Sequence, residues 1–233
     1  MEGGFGSPSL FFGGYMEEYM QPDLGLKNIP DIVRANMLKS KDGFPYGGMW
    51  LFTGAQGSGK TLLLMHMVKE LHEQYPDALI VTNISIFGIP CIPYTGIEDF
   101  EKYKNGSKGV IFVIDEIHVL FSSLESAKMP LSQVAVWCQN RKNRRLILGT
   151  TQRFTRAAKP VREQTTWHYE CRRPFLWVLY RYRVLDGAKY DDNGQYILDE
   201  DEKMPGYKFY VPKVSVMTMY NTLEVVIRDG DNK

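Results

Sequence analysis

Eight consecutive residues, Gly54 to Thr61, constrain this chain more than any other stretch of its sequence. They read G-A-Q-G-S-G-K-T, which fits the pattern G-x-x-x-x-G-K-T. Glycines at these positions permit backbone angles that other residues avoid, so successive N–H groups can turn inward around a phosphate. An apolar run precedes the loop at 49–53, and Leu62 opens an apolar segment after it. A strand, a glycine loop and a helix in this order predict a phosphate-binding loop at a helix N-terminus.

The polar side chains of this loop have separate chemical roles in the hypothesis. Lys60 supplies a mobile cation for the β- and γ-phosphates, and the Thr61 hydroxyl can ligate Mg²⁺. We therefore expect ATP and Mg²⁺ as cofactors, with Lys60 acting in catalysis as well as in binding. The residues expected to contact the nucleotide are Gly54, Gln56, Gly57, Ser58, Gly59, Lys60, Thr61 and Leu62.

Length and composition indicate a globular α/β domain with additions. The chain has 233 residues and a formal net charge of +1, so no overall field attracts it to nucleic acid and any such role needs a local patch. Its three cysteines, Cys91, Cys138 and Cys171, are far apart in sequence and are expected to be reduced, buried thiols. No signal peptide is predicted, because the N-terminus lacks the basic and apolar regions of one. No membrane span is predicted, because no apolar run reaches about 18 residues.

The chain alternates apolar strands with helical segments, which favours a mostly parallel sheet flanked by helices. The expected strands are 48–53, 78–83, 109–114 and 145–151, with helices at 60–74 and 130–140 and a short one near 96–103. After Arg162 the sequence becomes rich in Tyr, Trp and Val, and strands are expected at 164–171, 175–185, 195–198 and 207–211. This pattern divides the chain into an N-terminal arm or short helix (1–47), a P-loop core (48–173) and a small β-rich extension (174–233).

Two acidic residues, Asp115 and Glu116, follow directly on the apolar strand 109–114. A carboxylate at the end of a buried strand beside a phosphate loop can support Mg²⁺, and the next one can activate the water that attacks the γ-phosphate. Asp115 is therefore a candidate metal residue with Thr61, and Glu116 is a candidate catalytic base. Motor ATPases need this second acid, whereas small-molecule kinases do not. The alternative is an acidic turn at a strand end.

The strand at 145–151 ends in Gln152, whose amide could sense the γ-phosphate, because ligands collect at the carboxyl ends of parallel strands. The alternative is an amide that faces a loop. From Ser126 to Arg162 there is no acidic residue, and this segregation of charge indicates a polyanionic partner. A neighbouring subunit's ATP and a DNA backbone are both candidates, and a solvated basic face is the alternative. The proposed DNA contacts are Arg144, Arg145, Arg153, Arg156, Lys159 and Arg162.

These motifs together resemble a known group of proteins. The loop Gly54–Thr61, the acids Asp115 and Glu116, and Asn140-Arg141 before the strand that leads to Gln152 are similar to the FtsK/HerA superfamily of DNA-pumping ATPases. The order of Arg141, Gln152, Arg162 and the run from His168 to Arg173 resembles Zot-like proteins, the zonular occludens toxin N-terminal family. The resemblance covers about residues 48–224.

The resemblance implies an α/β P-loop NTPase of the RecA/FtsK-like type, an ATPase that moves single- or double-stranded DNA in phage genome packaging, virion assembly or extrusion. It implies a homo-oligomeric ring in which Arg141 acts as a catalytic finger in a neighbour's site, together with viral capsid or assembly partners and a location in the host cytoplasm or at the assembly site. Two alternatives stay open: a P-loop kinase for a nucleotide or small metabolite, and an ATP-gated assembly protein without motor activity. Zot-like proteins commonly carry a membrane span that this chain lacks.

Overall fold

The structure is a computed structural model and describes residues 43–120, 140, 142–175 and 179–220. The expected helix at 130–140 lies, apart from Asn140, outside this part of the chain, and so does the N-terminal arm up to residue 42. Within the described ranges, no helix has the length and apolar character needed to cross a bilayer.

One sheet of eight strands organises the described residues. Its strands are β1 (Gly48–Thr53), β2 (Leu79–Thr82), β3 (Ile92–Pro93), β4 (Val110–Ile114), β5 (Arg145–Thr151), β6 (Thr165–Phe175), β7 (Leu179–Asp186) and β8 (Lys208–Tyr210). The α-helices are α1 (Lys60–Gln74), α2 (Asp99–Lys102), α3 (Ile117–Leu120), α4 (Lys159–Glu163) and α5 (Val214–Met217). Short 3₁₀ turns lie at Gly106–Lys108, Phe154–Arg156 and Gly187–Lys189.

The strands lie in the order β3-β2-β4-β5-β1-β6-β7-β8. The pairs from β3 to β6 are parallel, and β7 and β8 then pair antiparallel to their neighbours. The carboxyl ends of β1, β4 and β5 therefore meet at one edge of the sheet, where loops follow each strand. This confirms the prediction of an α/β fold with a mostly parallel sheet.

The central strands form the core because both of their faces are covered. Every residue of β1, β4 and β5 is buried, as expected for parallel strands packed on both sides. One face packs against α1 through residues such as Leu63 and Met67. The other face packs against the segment 154–161, where Phe154 and Val161 contact the side chains of Met49 and its neighbours. The core thus holds the strand ends, and the residues that follow them, in fixed positions.

The observed bounds agree with several of the elements predicted from the sequence and contradict one. The strands expected at 48–53 and 145–151 and the helix at 60–74 have the expected limits. The strand expected at 195–198 is wrong, because that segment makes only an isolated bridge between Tyr190 and Tyr196. Two turns in Asp191–Gln195 hold this segment as a loop: the Gly194 N–H donates to the Asp191 carbonyl, and the Asp191 carboxylate accepts from the Gln195 N–H.

The two described cysteines differ in their burial. Cys171 is buried and Cys91 is only partly buried, so the expectation of buried thiols holds for one of the two described residues. Burial raises the pKa of Cys171 to about 12 and that of Cys91 to about 11, so neither is a thiolate near neutrality.

The sheet continues through β6 across residue 174, and the division into arm, core and extension stays a prediction.

Candidate nucleotide-binding and hydrolytic site

The loop between β1 and α1 has the backbone that a phosphate cradle needs. Gly54, Gly57 and Gly59 have φ angles of 149°, 75° and 85°, which side chains disfavour. Gly59 is the residue before α1, and a Cβ there would lie 2.4 Å from Tyr180 Cδ1. The requirement for glycine at this position therefore comes from both backbone angle and space. The first turn of α1 leaves its N–H groups directed at the loop.

The cation of this loop is held inside it. Lys60 is buried, and its Nζ donates to the Ala55 carbonyl at 3.4 Å across the loop. The loop closes on itself through a hydrogen bond from Ser58 N to Ala55 O at 3.1 Å. The Ser58 hydroxyl is buried and has no hydrogen-bond partner among the described residues. A buried polar group without a partner is costly, and a phosphate oxygen would satisfy it.

The acid at the end of β4 lies directly beside the loop. Asp115 Oδ1 accepts a hydrogen bond from Thr61 Oγ1 at 3.2 Å and another from Thr150 Oγ1 at 2.6 Å. Its backbone is fixed by Asn83, which accepts from Asp115 N at 2.8 Å and donates to Asp115 O at 3.0 Å. Residues from α1, β4, β5 and the end of β2 therefore place the Thr61 and Asp115 oxygens together. Hard oxygen donors of this kind are the ones that Mg²⁺ prefers, so these residues fit the ion.

The second acid has an unusual backbone. Glu116 has a φ of 51°, a conformation that is uncommon for residues other than glycine and that recurs at active sites. Its N–H donates to Thr150 Oγ1 at 2.9 Å, so a single hydroxyl holds both acids. The Glu116 Oε2 atom lies 3.1 Å from His118 Nδ1, and this nitrogen is also 3.2 Å from Thr151 Oγ1. The carboxylate of Glu116 thus lies beside an imidazole that the end of β5 contacts in turn, and its buried Oε2 atom has no hydrogen-bond partner among the described residues.

His118 is neutral in the neighbourhood of pH 7. Burial lowers its pKa below the ordinary value, the positive charges of Arg156 and Lys60 lower it further, and Glu116 opposes them. A neutral imidazole next to Glu116 can accept or donate a hydrogen bond without neutralising the carboxylate.

Gln152 follows β5 at the same edge of the sheet. Its side chain is exposed, and its Oε1 accepts a hydrogen bond from Arg156 Nη1 at 2.7 Å. The amide is therefore exposed at this edge of the sheet, and the guanidinium of Arg156 holds its oxygen. Its role as a sensor of the γ-phosphate stays a prediction.

The basic residues expected to share one surface are divided by β5. Arg144 precedes the strand and Arg145 is its first residue, whereas Arg153 and Arg156 follow it, so the length of the strand, about 20 Å, separates the two pairs. Arg144 Nη1 donates to the Ser107 carbonyl at 3.2 Å, at the edge of the sheet opposite the loop. The basic run is therefore two groups at opposite edges.

The prediction that Arg145 contacts DNA is wrong. Arg145 is 1% exposed, its guanidinium lies 6.0 Å from the centre of the Phe112 ring, and its Nη1 is 3.4 Å from Asn140 Oδ1. Burial also lowers its pKa. A side chain packed inside the sheet layer cannot reach a phosphate backbone, and sequence reasoning could not tell it from its exposed neighbours.

The other basic candidates remain at the surface. Arg153 and Arg156 are exposed beside Gln152, and Lys159 forms ion pairs with Glu163 at 3.7 Å and with Asp192 at 3.0 Å. Arg162 Nη1 donates to the Asp192 carbonyl at 3.4 Å. The proposed finger Arg141 lies outside the described residues.

Sequence analysis missed three residues of this site: Asn83, Thr150 and His118. Asn83 and Thr150 stand at or next to the carboxyl ends of strands that flank β4, as Gln152 does. The rule that selected Gln152 could have selected them too. His118 carried no such signal, because its position depends on the turn at Glu116.

Comparison with known proteins places this geometry in a family. The model of the ATPase family associated with various cellular activities, abbreviated AAA, matches residues 50–172, which is more than half of the chain. The chain belongs to the AAA family of ATPases. The matched interval of this AAA chain contains the phosphate loop, both acids and Gln152, and it confirms the prediction of a P-loop ATPase. No curated protein sequence matches the chain.

A solved structure shares the fold of this chain. The AAA chain is similar to the N-terminal domain of zonular occludens toxin from Neisseria meningitidis, with a TM-score of 0.56 and 20% identity over 75% of this chain and 98% of that one. This likeness confirms the Zot-like fold expected from the motifs. Another match is the genome packaging NTPase B204 from Sulfolobus turreted icosahedral virus 2 in complex with ATP-gammaS, with a TM-score of 0.48 and 14% identity over 71% of this chain and 97% of that one.

Proposed function

We propose that this AAA-family chain is a DNA translocase that hydrolyses ATP in viral genome packaging, virion assembly or extrusion. The observation that carries the proposal is the placement of Asp115 and Glu116 beside Thr61 and under one hydroxyl, that of Thr150. A paired acid site of this kind supports hydrolysis by water rather than transfer to another acceptor. The viral role extends the motif resemblance to Zot-like proteins, whose fold the chain shares.

Each residue of the site has its own role around the bound nucleotide. The loop N–H groups and Lys60 bind the β- and γ-phosphates, and Thr61 with Asp115 would hold Mg²⁺. The ion would supply positive charge that offsets the negative charge developing during phosphoryl transfer. Glu116 orients the attacking water and accepts its proton, which is a contribution of about 10²- to 10⁴-fold in rate. Gln152 contacts the γ-phosphate side of the site.

The remaining steps of the proposal involve a neighbouring subunit and the DNA. Arg141 of one subunit would stabilise the transition state in the next, so activity would require an oligomeric ring. Basic residues at the loop edge, such as Arg153 and Arg156, would follow the DNA backbone without selecting sequence. Capsid or assembly proteins are the partners expected at the site of virion assembly in the host cytoplasm.

DNA-stimulated ATP hydrolysis is the direct test. Phosphate release is measured with no DNA, with single-stranded DNA and with duplex DNA, and we expect at least one DNA form to raise the rate. Lys60→Ala and Glu116→Gln should abolish turnover under all three conditions. Glu73→Gln is the matched control, since Glu73 is exposed on α1 and, within the described part of the chain, forms an ion pair with Lys69 alone, at 3.8 Å.

The outcomes also separate the alternatives. Turnover that is the same with every form of DNA would contradict translocation. Phosphate transfer to a nucleotide or metabolite in place of water would indicate a kinase. An ATP-dependent oligomer that does not hydrolyse ATP would indicate an assembly protein without motor activity.

A further inference from the structure

A cavity of about 720 Å³ opens beside the phosphate loop, on the side away from α1. Its wall includes Gly54, Ala55 and Ser58 from the loop, but Lys60 and Asp115 are not among the residues that line it. Gln152 is also in the wall, so the cavity adjoins the place where Lys60 and Asp115 act and extends from it towards β6 and β7. Its size is in the usual range for ligand sites. We call it the arginine cavity after the four arginines in its wall: Arg153, Arg172, Arg181 and Arg183.

Three of these arginines come from β6 and β7. Two of the three form a like-charge pair across the strands, which is unfavourable without an anion. Arg172 lies directly opposite Arg181 in the antiparallel register, and Arg183 lies opposite Glu170. Like charges opposite one another destabilise a strand pair. Glu170 is the carboxylate in the wall: it accepts from Arg172 Nη2 at 2.5 Å and from Arg183 Nε. Four guanidinium groups against one carboxylate leave a net charge of +3.

The guanidinium groups are also held in place. The guanidinium carbons of Arg181 and Arg183 lie 5.5 Å and 5.2 Å from the centre of the same ring, that of Tyr207. Arg172 Nε donates to the Tyr207 hydroxyl at 3.0 Å. The Nε atom of Arg181 is buried and has no hydrogen-bond partner among the described residues. Pre-organised planar donors with unused capacity match phosphate oxygens better than point charges do.

Aromatic rings complete the wall. Phe154 stacks on Tyr190 with ring centres 4.1 Å apart, and Tyr190 contacts Tyr196 at 5.1 Å. A basic groove with aromatic side chains beside it is typical of proteins that bind a nucleic-acid strand without reading its sequence. An acidic peptide would use the charge but would have no need of the aromatic wall.

We propose that the arginine cavity binds the phosphodiester backbone of a nucleic-acid strand. The proposal rests on the proposed function for the identity of the polyanion. It places most of the contact on β6 and β7, and Arg153 is the member of the basic run around β5 that shares it. Because Gly54, Ala55 and Ser58 form part of the wall, a strand in the cavity lies against the outer side of the phosphate loop. This contact would let the strand influence the loop in which ATP is bound.

The test is the salt dependence of binding to labelled oligonucleotides by the full chain, in its oligomeric form with a non-hydrolysable ATP analogue. Fluorescence anisotropy is measured for single-stranded and duplex oligonucleotides of one length across a series of salt concentrations. Arg172→Gln should lower the slope of log K against log salt by about 0.7 to 0.9, the value for one lost phosphate contact. Arg181→Gln should do the same, and Arg172→Lys should recover most of the slope.

The matched control is Lys104→Gln, which removes one exposed positive charge just before the Gly106–Lys108 turn that leads to the start of β4, at the opposite edge of the sheet. This control should keep the slope of the unmodified protein. If Arg172→Gln and Arg181→Gln match the control while the unmodified protein binds DNA, the cavity assignment is wrong and the proposed function stands. If the unmodified protein binds neither form, both proposals fail. A raised KM for ATP with an unchanged slope would assign the cavity to the nucleotide instead and overturn the proposal.

Discussion

Replacing Thr150 with valine tests the idea that one hydroxyl aligns both acids. Thr150 is fully buried, its Oγ1 donates to Asp115 Oδ1 at 2.6 Å and it accepts from Glu116 N at 2.9 Å. Valine keeps the shape and removes both hydrogen bonds. A hydrogen bond to a charged group contributes about 1.5–3 kcal/mol, and an N–H left without a partner costs about 1–3 kcal/mol.

The acids are only partly buried, so water can replace some of what is lost, and we expect the free energy of unfolding to fall by about 2–3 kcal/mol. A domain with a stability of about 5–15 kcal/mol remains folded after such a loss. Activity should fall as well, because a displacement of about 1 Å in a reacting group costs about 100-fold in rate. We therefore expect kcat for ATP hydrolysis to fall by about 100-fold in Thr150→Val.

Two further variants separate geometry from stability. Thr150→Ser keeps the hydroxyl and should retain most of the activity. Thr165→Val removes another buried hydroxyl, which donates to the Val161 carbonyl at 2.9 Å, away from the acids. It should lower stability by about 1 kcal/mol with no effect on kcat. The measurements are phosphate release at saturating ATP and unfolding in urea. If Thr150→Val kept a kcat within about twofold of the unmodified protein, the alignment argument would be refuted.

Three other predictions follow from packing and charge. Gly59→Ala should abolish ATP binding, measured by calorimetry, and Gly59→Ala with Tyr180→Ala should not restore it, because relief of the clash leaves a φ of 85°. Burial lowers the pKa of His168 from 6.5 to about 3, so the unfolded chain binds the proton first and stability should fall by up to about 1.4 kcal/mol per pH unit as pH drops from 6.5 towards 3. Urea unfolding across that range should lose this component in His168→Gln. Arg145→Met should change the free energy of unfolding but leave the slope of log K for DNA binding against log salt unaltered. Arg153→Gln should lower that slope. The opposite pattern would restore Arg145 as a DNA contact.

The parts of this fold that could be predicted from the sequence are those set by local pattern. β1 and β5 were predictable because every residue in them is buried and each strand has an apolar run at its centre. The phosphate loop was predictable because its glycines have no substitute at their backbone angles. Asp115 and Glu116 were predictable because they follow a buried strand without an intervening residue.

The remaining features depend on contacts between distant parts of the chain. Arg145 and Arg153 look alike in a count of charges, yet one is inside the sheet layer and the other lines a cavity. The charge of the arginine cavity was hidden for a related reason. Arg172 and Arg181 are nine positions apart and become a like-charge pair only through the register of β6 and β7.

The end of β5 links the separate functions of the site. Three consecutive residues there hold three different groups: Thr150 binds the two acids, Thr151 contacts His118, and Gln152 accepts from Arg156. A small shift of this end would therefore change the positions of Glu116, the proposed catalytic base, of His118 beside it, and of Gln152, the proposed sensor. Phe154 follows two residues later in the wall of the arginine cavity. A nucleotide at the loop and a strand in the cavity would therefore act on the same short segment, and coupling between them needs no longer path through the protein.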